Sequence, residues 1–361
     1  MSNLSIRLKK NTLFSLPGKR LIFILIIASF GFLTSCNPDD EDDTTGPPAP
    51  SLDFYVPAGF PQPVYDFSGN PITKDGFELG RKLFYDPVLS RDSTVSCGSC
   101  HQQFAAFAHA DHRLSHGIDD LLGKRNAPGL FNLAWFPEFM WDGGVNHIEV
   151  QPLAPIANPV EMDEDIGNIP VKLQRIEAYR NLFKRAFGSD SITLQNTLYA
   201  MTQFMGRMIS DNSAYDRNRL GTGQFSASEN RGLALFRTHC VSCHTEPLMT
   251  DMQFRNNGLD SVFRRDAGRA LITQIPQDSG KFKVPSLRNV ALTYPYMHDG
   301  RFQTLERVLD HYTSGIRNSP TLDPLLLQPI ILTQQDKADI IAFLNTLTDH
   351  AFLTDGRFAE P

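Results

Sequence analysis

The chain has little of several features that would place it in common protein classes. Only five of its 361 residues are cysteine, so it is not a small secreted domain built on disulfides. Its 34 basic residues are outnumbered by 40 acidic ones, for a formal net charge of −6, which argues against a nucleic-acid-binding protein. Strand patterns are few, so the sequence predicts a mainly α-helical fold. The length allows two domains and a sizeable core.

A long hydrophobic run is also missing. The apolar run at residues 21–33 is too short to cross a membrane comfortably, and a basic segment precedes it. This pattern predicts a signal peptide at residues 1–35. The sequence Leu-Thr-Ser-Cys that ends at Cys36 resembles a bacterial lipobox, which implies cleavage before Cys36 and its lipidation. An ordinary signal peptide, or an uncleaved anchor with a chance cysteine, is the alternative.

Residues 36–55 predict a disordered tether, because they are acidic, then rich in proline, and lack an apolar period. Removing the signal peptide, with its five cations and no acid, changes the formal net charge from −6 to about −11. The acidic run 39–43 resembles the surface-export signals of some outer-membrane lipoproteins. We therefore expect an outer-membrane lipoprotein of the cell envelope that faces the periplasm, with surface exposure left open.

The other four cysteines lie in two copies of one pattern, CGSCH at residues 97–101 and CVSCH at residues 240–244. Cys-x-x-Cys-His is typical of c-type haem attachment, because two thiols about one turn apart add to the porphyrin and the next imidazole binds the iron. Zinc half-sites and disulfides are the alternatives. The predicted attachment residues are Cys97, Cys100, Cys240 and Cys243, and the predicted proximal iron ligands are His101 and His244.

A weak internal repeat accompanies the motifs, since GRKLF at residues 80–84 precedes the first and GLALF at 232–236 precedes the second. In cytochrome c folds such a helix packs against a C-terminal helix. The natural division is an N-terminal domain at residues 56–215 and a C-terminal domain at 216–361, each with one haem. Apolar periodicity predicts helices over 170–187 and 194–209, and Thr333 is the expected N-cap of a closing helix.

Longer segments carry a family resemblance over about residues 55–355. They are GKRNAP at 123–128, FMWDG at 139–143, FKVPSLRNV at 282–290 and LTYPYMHDG at 292–300. They resemble the bacterial di-haem cytochrome c peroxidases and their relative MauG, the methylamine-utilisation enzyme. The resemblance implies two cytochrome c-like domains, with a peroxide-reactive N-terminal haem and an electron-transferring C-terminal haem.

The resemblance also implies roles for three residues of the N-terminal domain. Family enzymes use a glutamate and a glutamine ten residues apart to handle peroxide, and Glu161 and Gln151 match that spacing. Glu161 is then the acid–base residue, and Gln151 orients peroxide or water. Trp141 would relay electrons between the haems; a buried core tryptophan is the alternative.

The distal side of the N-terminal haem departs from the usual pattern. Many members block this haem at rest with a histidine from a mobile loop, and the equivalent position here is Ile118. His116, two residues earlier, is the alternative candidate. We expect a five-coordinate or water-bound resting haem that needs no reductive activation.

The C-terminal haem departs as well. Classical members bind its iron with a methionine, and the equivalent residue here is Tyr312, as in MauG. An anionic phenolate favours ferric iron, whereas a thioether raises the potential. Met297 as ligand, or an open or water-bound site, remains the alternative. The family also holds one Ca²⁺, which implies Asn126, Thr293 and Pro295 as its ligands.

The expected function is a cytochrome c peroxidase that reduces hydrogen peroxide to water. Its electrons would come from a small periplasmic donor, a monohaem cytochrome c or a cupredoxin, and the acidic body suits a basic donor. A MauG-like oxidase acting on residues of a partner protein is one alternative, favoured by Tyr312 and Ile118. A pure di-haem electron carrier is another, although it would not need Glu161 and Gln151. Peroxidases of this family are often dimers, so a homodimer is one alternative for the oligomeric state.

Overall fold

Helices dominate residues 52–361, the part of the chain that the computed structural model describes. The predicted signal peptide, Cys36 and most of the predicted tether lie outside these residues, so the lipidation of Cys36 stays a prediction. Between residues 52 and 361 the backbone forms twelve α-helices and one two-stranded sheet, which confirms the predicted mainly α-helical class. No helix in this region is long and apolar enough to cross a membrane.

The elements are numbered in chain order. The α-helices are α1 (Lys74–Tyr85), α2 (Cys97–Cys100), α3 (Leu153–Ala157), α4 (Asn168–Gln174), α5 (Glu177–Phe187), α6 (Leu194–Gly206), α7 (Ala214–Arg219), α8 (Ala227–His239), α9 (Ala270–Thr273), α10 (Leu305–Asp310), α11 (Gln334–Asn345) and α12 (His350–Thr354). The 3₁₀ segments are Phe67–Gly69, Pro87–Leu89, Gln103–Ala105, Ile118–Asp120, Leu133–Trp135, Ile148–Val150, Pro276–Asp278 and Pro324–Leu326, and a π-helical turn lies at His311–Gly315. The strands β1 (Phe254–Arg255) and β2 (Phe282–Lys283) pair antiparallel, with Phe254 opposite Lys283.

The single helix predicted over residues 170–187 is wrong, because the chain breaks between α4 and α5. Ile176 has an extended backbone, with φ −97° and ψ 113°, immediately before α5. Val171 and Ile176, which the apolar pattern assigns to the buried face, are exposed. The break turns α5 so that the buried Tyr179 donates a hydrogen bond to the Asp86 carboxylate at 2.7 Å. Tertiary packing therefore decides this break.

The other two predicted helices are confirmed, although α6 is shorter than predicted. It begins after its N-cap Thr193 and ends at Gly206, before residue 209. The closing helix α11 begins after Thr333, whose Oγ1 accepts a hydrogen bond from the Asp336 N–H at 3.1 Å. The Asp336 carboxylate accepts one from the Thr333 N–H at 2.8 Å. This reciprocal capping box starts the helix where the sequence predicted it.

A helix that crosses its partner at a glycine precedes each Cys-x-x-Cys-His motif. In α1, a β-carbon added to Gly80 would lie 2.0 Å from the carbonyl oxygen of Ala200 in α6. In α8, a β-carbon added to Gly232 would lie 1.9 Å from the carbonyl oxygen of Asp339 in α11. Such close backbones exclude any residue with a side chain. The repeat in the sequence thus corresponds to two similar helix crossings, α1 on α6 and α8 on α11.

The buried apolar side chains form two clusters, here called the first core and the second core. The first core includes Phe84 of α1 and residues of α5 and α6, and the second core includes Phe236 of α8 and Phe343 of α11. The end of the chain returns to the first core, where the ring of Phe352 in α12 lies 5.6 Å from that of Phe107. Because the C-terminal segment belongs to the first core, the predicted boundary at residue 216 does not separate the cores cleanly and stays a prediction.

A buried ion pair joins Asp216 of α7 to Arg288 in the segment after β2. The Arg288 guanidinium donates to both carboxylate oxygens of Asp216, at 2.9 and 2.6 Å. It also donates to the carbonyl oxygen of Ser210 at 3.0 Å. The side chains of Arg288 and Asp216 are 0% and 1% exposed. This pair fixes the cavity-lining segment that precedes Arg288 relative to the first core.

Candidate active site

The first Cys-x-x-Cys-His motif forms α2 and the residue that follows it. Ser96 caps the helix, because its Oγ accepts a hydrogen bond from the Ser99 N–H at 3.2 Å. In return, the Ser99 Oγ accepts one from the Ser96 N–H at 3.1 Å. One helical turn therefore separates Cys97 and Cys100 on the same face of the helix, and His101 follows where the helix ends.

Both motif histidines are held by backbone carbonyl groups. The Nδ1 atom of His101 lies 2.6 Å from the carbonyl oxygen of Phe107, and that of His244 lies 3.1 Å from the carbonyl oxygens of Met249 and Pro285. Burial lowers the pKa of each histidine, so each is a neutral imidazole whose Nδ1–H donates to a carbonyl. This leaves Nε2 as the free nitrogen, which is what a proximal iron ligand needs.

A continuous cavity of about 820 Å³ is lined by both motifs. The other predicted site residues also line it, although they come from distant parts of the chain. They are Asn126, Trp141, Gln151, Glu161, Thr293, Pro295 and Tyr312, together with the alternative ligands His116 and Met297. The fold therefore brings all the predicted candidates inside residues 52–361 to one cavity.

The thiols of both motifs line this cavity as free cysteines. Burial is the main cause that raises the pKa of Cys97 to about 12 and that of Cys100 to about 11. In the described part of the chain, the motif cysteines form no disulfide and no group of three or more His, Cys, Asp and Glu side chains could hold a metal ion. The zinc and disulfide alternatives therefore find no support.

Cations at the cavity mouth suit the carboxylates of haem. Lys124, Arg264 and Arg265 are exposed, line the cavity and form no ion pair with another described residue. A haem carries two propionates, so these three side chains offer opposite charge where a propionate would reach solvent. Thiols, imidazoles and unpaired cations together fit two covalent haem c groups.

Glu161 and Gln151 reach the cavity from the two sides of α3. Gln151 follows the 3₁₀ segment Ile148–Val150 and Glu161 lies after the end of α3. Burial raises the pKa of Glu161, and a hydrogen bond from the Asn158 side chain partly offsets this. After burial, the charge of Glu161 is the next cause of the raised pKa of Cys100. The glutamate therefore lies beside the first motif, with a proton affinity above that of an exposed glutamate.

The loop that holds Ile118 packs directly against the backbone of Glu161. The Ile118 N–H donates to the Glu161 carbonyl oxygen at 2.7 Å, and the Ile118 side chain is 1% exposed. A β-carbon on Gly117 would lie 2.5 Å from the Cα of Glu161. The His116 Nδ1 lies 2.9 Å from the Asp120 carboxylate. Thus the position of the usual blocking histidine holds a buried apolar side chain, whereas His116 contacts Asp120 through Nδ1 and keeps Nε2 free.

Tyr312 lies in the π-helical turn that continues α10. Such turns often accompany functional sites, and the apolar pattern of the sequence does not reveal this one. Burial raises the pKa of Tyr312 to about 12; a hydrogen bond with the Asn257 side chain lowers it in part, and Cys240 and Cys243 raise it further. The phenol therefore lies near the second motif.

Trp141 lies between segments that belong to the two halves of the chain. Its Nε1–H donates to the carbonyl oxygen of Asn126 at 2.9 Å, and its own carbonyl oxygen accepts from the Lys283 N–H at 2.7 Å. The Asn126 N–H in turn donates to the carbonyl oxygen of His298 at 2.8 Å. Trp141 is thus hydrogen-bonded to Asn126 in the first half of the chain and to Lys283 in the second half.

Sequence reasoning missed two polar residues of the cavity, Lys283 and Asn257. The Lys283 Nζ donates to the carbonyl oxygen of Glu138 at 2.8 Å and lies 4.9 Å from the centre of the Phe136 ring, and burial lowers its pKa to about 8. Its place in FKVPSLRNV is the signal that could have found it. The Asn257 Nδ2 donates to Met297 Sδ at 3.4 Å, and no sequence pattern singles it out.

Two family models match the chain in succession. Residues 74–224 match the model described as di-haem cytochrome c peroxidase, and residues 229–348 match the cytochrome c model. Together with the helical fold and the shared cavity, these matches define a protein with two haem c domains.

Curated relatives and a solved structure support the same assignment. The chain is 35% identical to methylamine utilization protein MauG of Methylophilus methylotrophus, over 82% of this chain and 88% of that protein. It is 30% identical to cytochrome-c peroxidase IdrP1 of Pseudomonas sp. (strain SCT), over 83% of this chain and 88% of that protein. A MauG-like protein associated with microbial copper homeostasis has a solved structure with a TM-score of 0.79 and 34% identity, covering 85% of this chain and 98% of that one.

The chain therefore belongs to the family of bacterial di-haem cytochrome c peroxidases and MauG, which confirms the resemblance that the sequence segments indicate. Its relatives include both peroxidases and MauG proteins, so the family membership defines a di-haem peroxidase or oxidase.

Proposed function

We propose that this protein reduces hydrogen peroxide to water with electrons from a small redox protein. The observation that carries the proposal is that Glu161 and Gln151 line the same cavity as the first motif, with the buried Ile118 hydrogen-bonded to the Glu161 backbone. When bound, haem would supply an open iron position and electrons for cleavage of the oxygen–oxygen bond. A pure electron carrier would need neither an acid–base group nor an amide in this cavity.

Glu161 moves the proton in the proposed reaction. Its carboxylate accepts a proton from the near peroxide oxygen and returns it to the far oxygen, which leaves as water. Its pKa is raised by burial and so lies closer to a neutral pH than that of an exposed glutamate. This suits a group that both accepts and donates the proton. The Gln151 amide orients peroxide through its N–H and carbonyl groups. One peroxide, two electrons and two protons give two molecules of water.

We assign electron relay to Trp141. The hydrogen bond from its Nε1–H to the Asn126 carbonyl oxygen holds the indole in one orientation, and Trp141 lines the cavity that the motifs at residues 97–101 and 240–244 share. A fixed aromatic ring between two redox centres shortens the distance that electrons must cross. In this proposal electrons enter beside His244 and are used beside His101.

An apolar patch near the second motif supports an electron-donor surface. Leu325, Leu327 and Ile331 are exposed, the last by 85%. Their sequence neighbours Leu326, Ile330 and Leu332 line the cavity. We propose that this patch receives a monohaem cytochrome c or a cupredoxin, which would approach the second haem closely there. The acidic net charge of the chain suits a basic donor.

A Ca²⁺ site is the third part of the proposal. The Asn126 Nδ2 donates to the carbonyl oxygens of His112 and Arg113, at 3.1 and 3.4 Å, so Oδ1 is the side-chain atom left for a cation. Thr293 and Pro295 line the same cavity and would contribute carbonyl oxygens. Few protein oxygens completed by water suit a hard, flexible cation such as Ca²⁺.

We also propose that the protein is anchored to the outer membrane through a lipidated Cys36 and faces the periplasm, with surface exposure left open. The short apolar run before Cys36 and the acidic run after it support this placement. Radiolabelled palmitate in the wild type, and its absence in Cys36→Ala, would test the anchor. Size-exclusion chromatography with and without Ca²⁺ would test for a homodimer.

A MauG-like oxidase that acts on residues of a partner protein is the second candidate. Tyr312 is the observation that favours it, because a phenolate ligand lowers the potential of the second haem and opposes rapid electron entry. The 35% identity to MauG of Methylophilus methylotrophus supports the same candidate.

One experiment separates these functions. The holoprotein is mixed with peroxide and reduced cytochrome c, and donor oxidation and the haem spectra are followed together. Fast donor turnover supports the peroxidase. A long-lived oxidised state with poor donor turnover supports the MauG-like oxidase. No reaction, with two low-spin haems, would leave the electron carrier.

A further inference from the structure

The residue that accepts the His101 hydrogen bond lies in a strained turn. Phe107, whose carbonyl oxygen lies 2.6 Å from His101 Nδ1, has a φ of 59°, and Ala106 before it has a φ of 52°. Both values lie in the left-handed region, which residues other than glycine adopt at a cost in free energy. Such a turn persists only where the surrounding structure holds it. The position of the Phe107 carbonyl group therefore depends on what packs against the turn.

The end of the chain packs against this turn. The Phe107 side chain is 0% exposed, and its ring lies 5.6 Å from that of Phe352 in α12 and 6.5 Å from that of Phe358. The rings of Phe352 and Phe358 themselves lie 5.6 Å apart. Phe107 is thus in contact with two aromatic rings of the C-terminal segment, here residues 350–358.

Hydrogen bonds attach the C-terminal segment to the region around the first motif. The Gln103 Nε2 donates to the carbonyl oxygen of Asp355 at 2.8 Å, and Gln103 begins the 3₁₀ segment that leads into Ala106. The Tyr85 hydroxyl donates to the carbonyl oxygen of Phe358 at 2.6 Å, and Tyr85 is the last residue of α1. The segment is therefore attached at two points besides its aromatic contacts.

The start of the C-terminal segment is fixed as well. The side chain of Asp349, which is 1% exposed, caps α12 by accepting a hydrogen bond from the Phe352 N–H at 3.1 Å. It also accepts hydrogen bonds from the N–H groups of Asp211 and Asn212, each at 2.9 Å. The segment that holds the turn is thus itself held by the chain between α6 and α7.

We propose that the C-terminal segment positions the proximal ligand of the first haem, and that Phe358 is a positioning residue that acts on His101 through Phe107. A histidine that donates its Nδ1–H to a carbonyl group is a more basic ligand, and a more basic ligand favours ferric iron. Packing that keeps the Phe107 carbonyl group at Nδ1 therefore lowers the potential of that haem. The inference goes beyond the proposed function, because it holds for a peroxidase and for an oxidase alike.

The test measures the reduction potential of the first haem and the iron–histidine stretching band of its ferrous form, in the purified holoprotein. Phe358→Ala removes a ring that packs on Phe107. The potential should rise and the band should shift to lower frequency, because a weaker hydrogen bond at Nδ1 makes His101 a less basic ligand.

Phe183→Ala is the matched control. Phe183 is also 0% exposed in the first core, and its ring lies 6.1 Å from that of Phe187 in α5. This variant should lose stability as Phe358→Ala does, but its potential and band should stay at the wild-type values. A merely structural role of Phe358 would give the two variants the same spectrum and potential.

Unchanged values in Phe358→Ala, or equal shifts in both variants, would overturn the proposal. A raised potential with an unchanged band would overturn it too, since the change would then not act through His101. If Phe358→Ala does not fold, Phe358→Leu takes its place. It keeps part of the apolar volume and should shift both quantities in the same direction by less, and wild-type values in Phe358→Leu would then refute the positioning role.

Discussion

Ile118 and Glu161 are joined by a backbone hydrogen bond of 2.7 Å, from the Ile118 N–H to the Glu161 carbonyl oxygen. The bond fixes the loop that would carry a blocking histidine to the segment that carries the proposed acid–base residue. Because the Ile118 side chain is buried and apolar, this loop position offers no ligand to the first haem. The contact therefore joins a loop position that has no histidine to the segment of the proposed acid–base residue.

Removing the Glu161 carboxylate should slow the reaction with peroxide by about 10²–10⁴-fold, since general acid–base catalysis contributes on this order. Glu161→Gln keeps the shape and loses the proton acceptor. Stopped-flow mixing of the holoprotein with peroxide measures the rate. Asp165→Asn, an exposed acid in the same segment, is the matched control and should react at the wild-type rate. Unchanged kinetics in Glu161→Gln would refute the assignment.

The reaction with peroxide should weaken as the pH falls through the pKa of Glu161. Burial raises this pKa, so the carboxylate is lost at a higher pH than in an ordinary glutamate, whose pKa is about 4.3. The midpoint of the acid limb should therefore lie at a higher pH than the pKa of an exposed glutamate. Asn158→Ala removes a hydrogen bond that lowers the pKa and should move the midpoint to higher pH. A midpoint that stays in place in Asn158→Ala would contradict this cause.

The ferric holoprotein should react with peroxide as isolated, without prior reduction. Ile118 stands at the position of the usual blocking histidine and cannot bind iron. His116 contacts Asp120 through Nδ1, which leaves its Nε2 free, so His116 is the residue to test. Electron paramagnetic resonance should show a high-spin ferric signal from the first haem, and His116→Ala should preserve it. A purely low-spin first haem in the wild type, converted to high spin by His116→Ala, would identify His116 as the blocking ligand.

Breaking the buried pair of Arg288 and Asp216 should destabilise the fold by about 3–5 kcal/mol, because it leaves a carboxylate buried without its partner. Arg288→Met makes this change, and urea unfolding measures it. Arg288→Met with Asp216→Leu should cost less, since no charge then remains buried. The exposed pair of Arg185 and Asp75 is the control, and Arg185→Met should cost less than about 1 kcal/mol. Equal losses at the two sites would contradict the role of burial.

A charge in the apolar patch should impair the electron donor and spare the reaction with peroxide. Ile331→Glu is expected to raise the KM for reduced cytochrome c severalfold, because the donor would have to bury a carboxylate. Val64, which is 61% exposed and lies outside the patch, provides the control variant Val64→Glu. Steady-state kinetics with varied donor compares the two. A similar KM in both variants would place the donor surface elsewhere.

Some elements were predictable because their signals are local. The capping box of Thr333 and Asp336 lies within one turn of α11, and the packing glycines Gly80 and Gly232 stand at matching places in the repeat. The break at Ile176 was not predictable, because apolar spacing continues through it and only the packing of Tyr179 against Asp86 distinguishes the two helices.

The candidate site also contains residues that the sequence revealed and residues that only the packing revealed. Glu161 and Gln151 were found through family spacing, since nothing in the acidic segment around Glu161 marks it as reactive. Asn257 escaped notice, because its contacts lie 40 residues away at Met297 and 54 residues away at His311. Hydrogen bonds over such separations leave no periodic pattern in a sequence.

The sequence by itself predicted the two haem-attachment segments and the imidazoles that follow them, because two thiols and a histidine within five residues need only one turn of helix to align. It also determined the helical class and the family. Tertiary structure alone decided which other side chains line the cavity near each motif. There the Ile118 N–H donates to the Glu161 carbonyl oxygen near the first motif, and the Asn257 Nδ2 donates to Met297 Sδ in the cavity that the second motif also lines. These contacts join segments far apart in the chain, so only the packing of the whole fold brings them together.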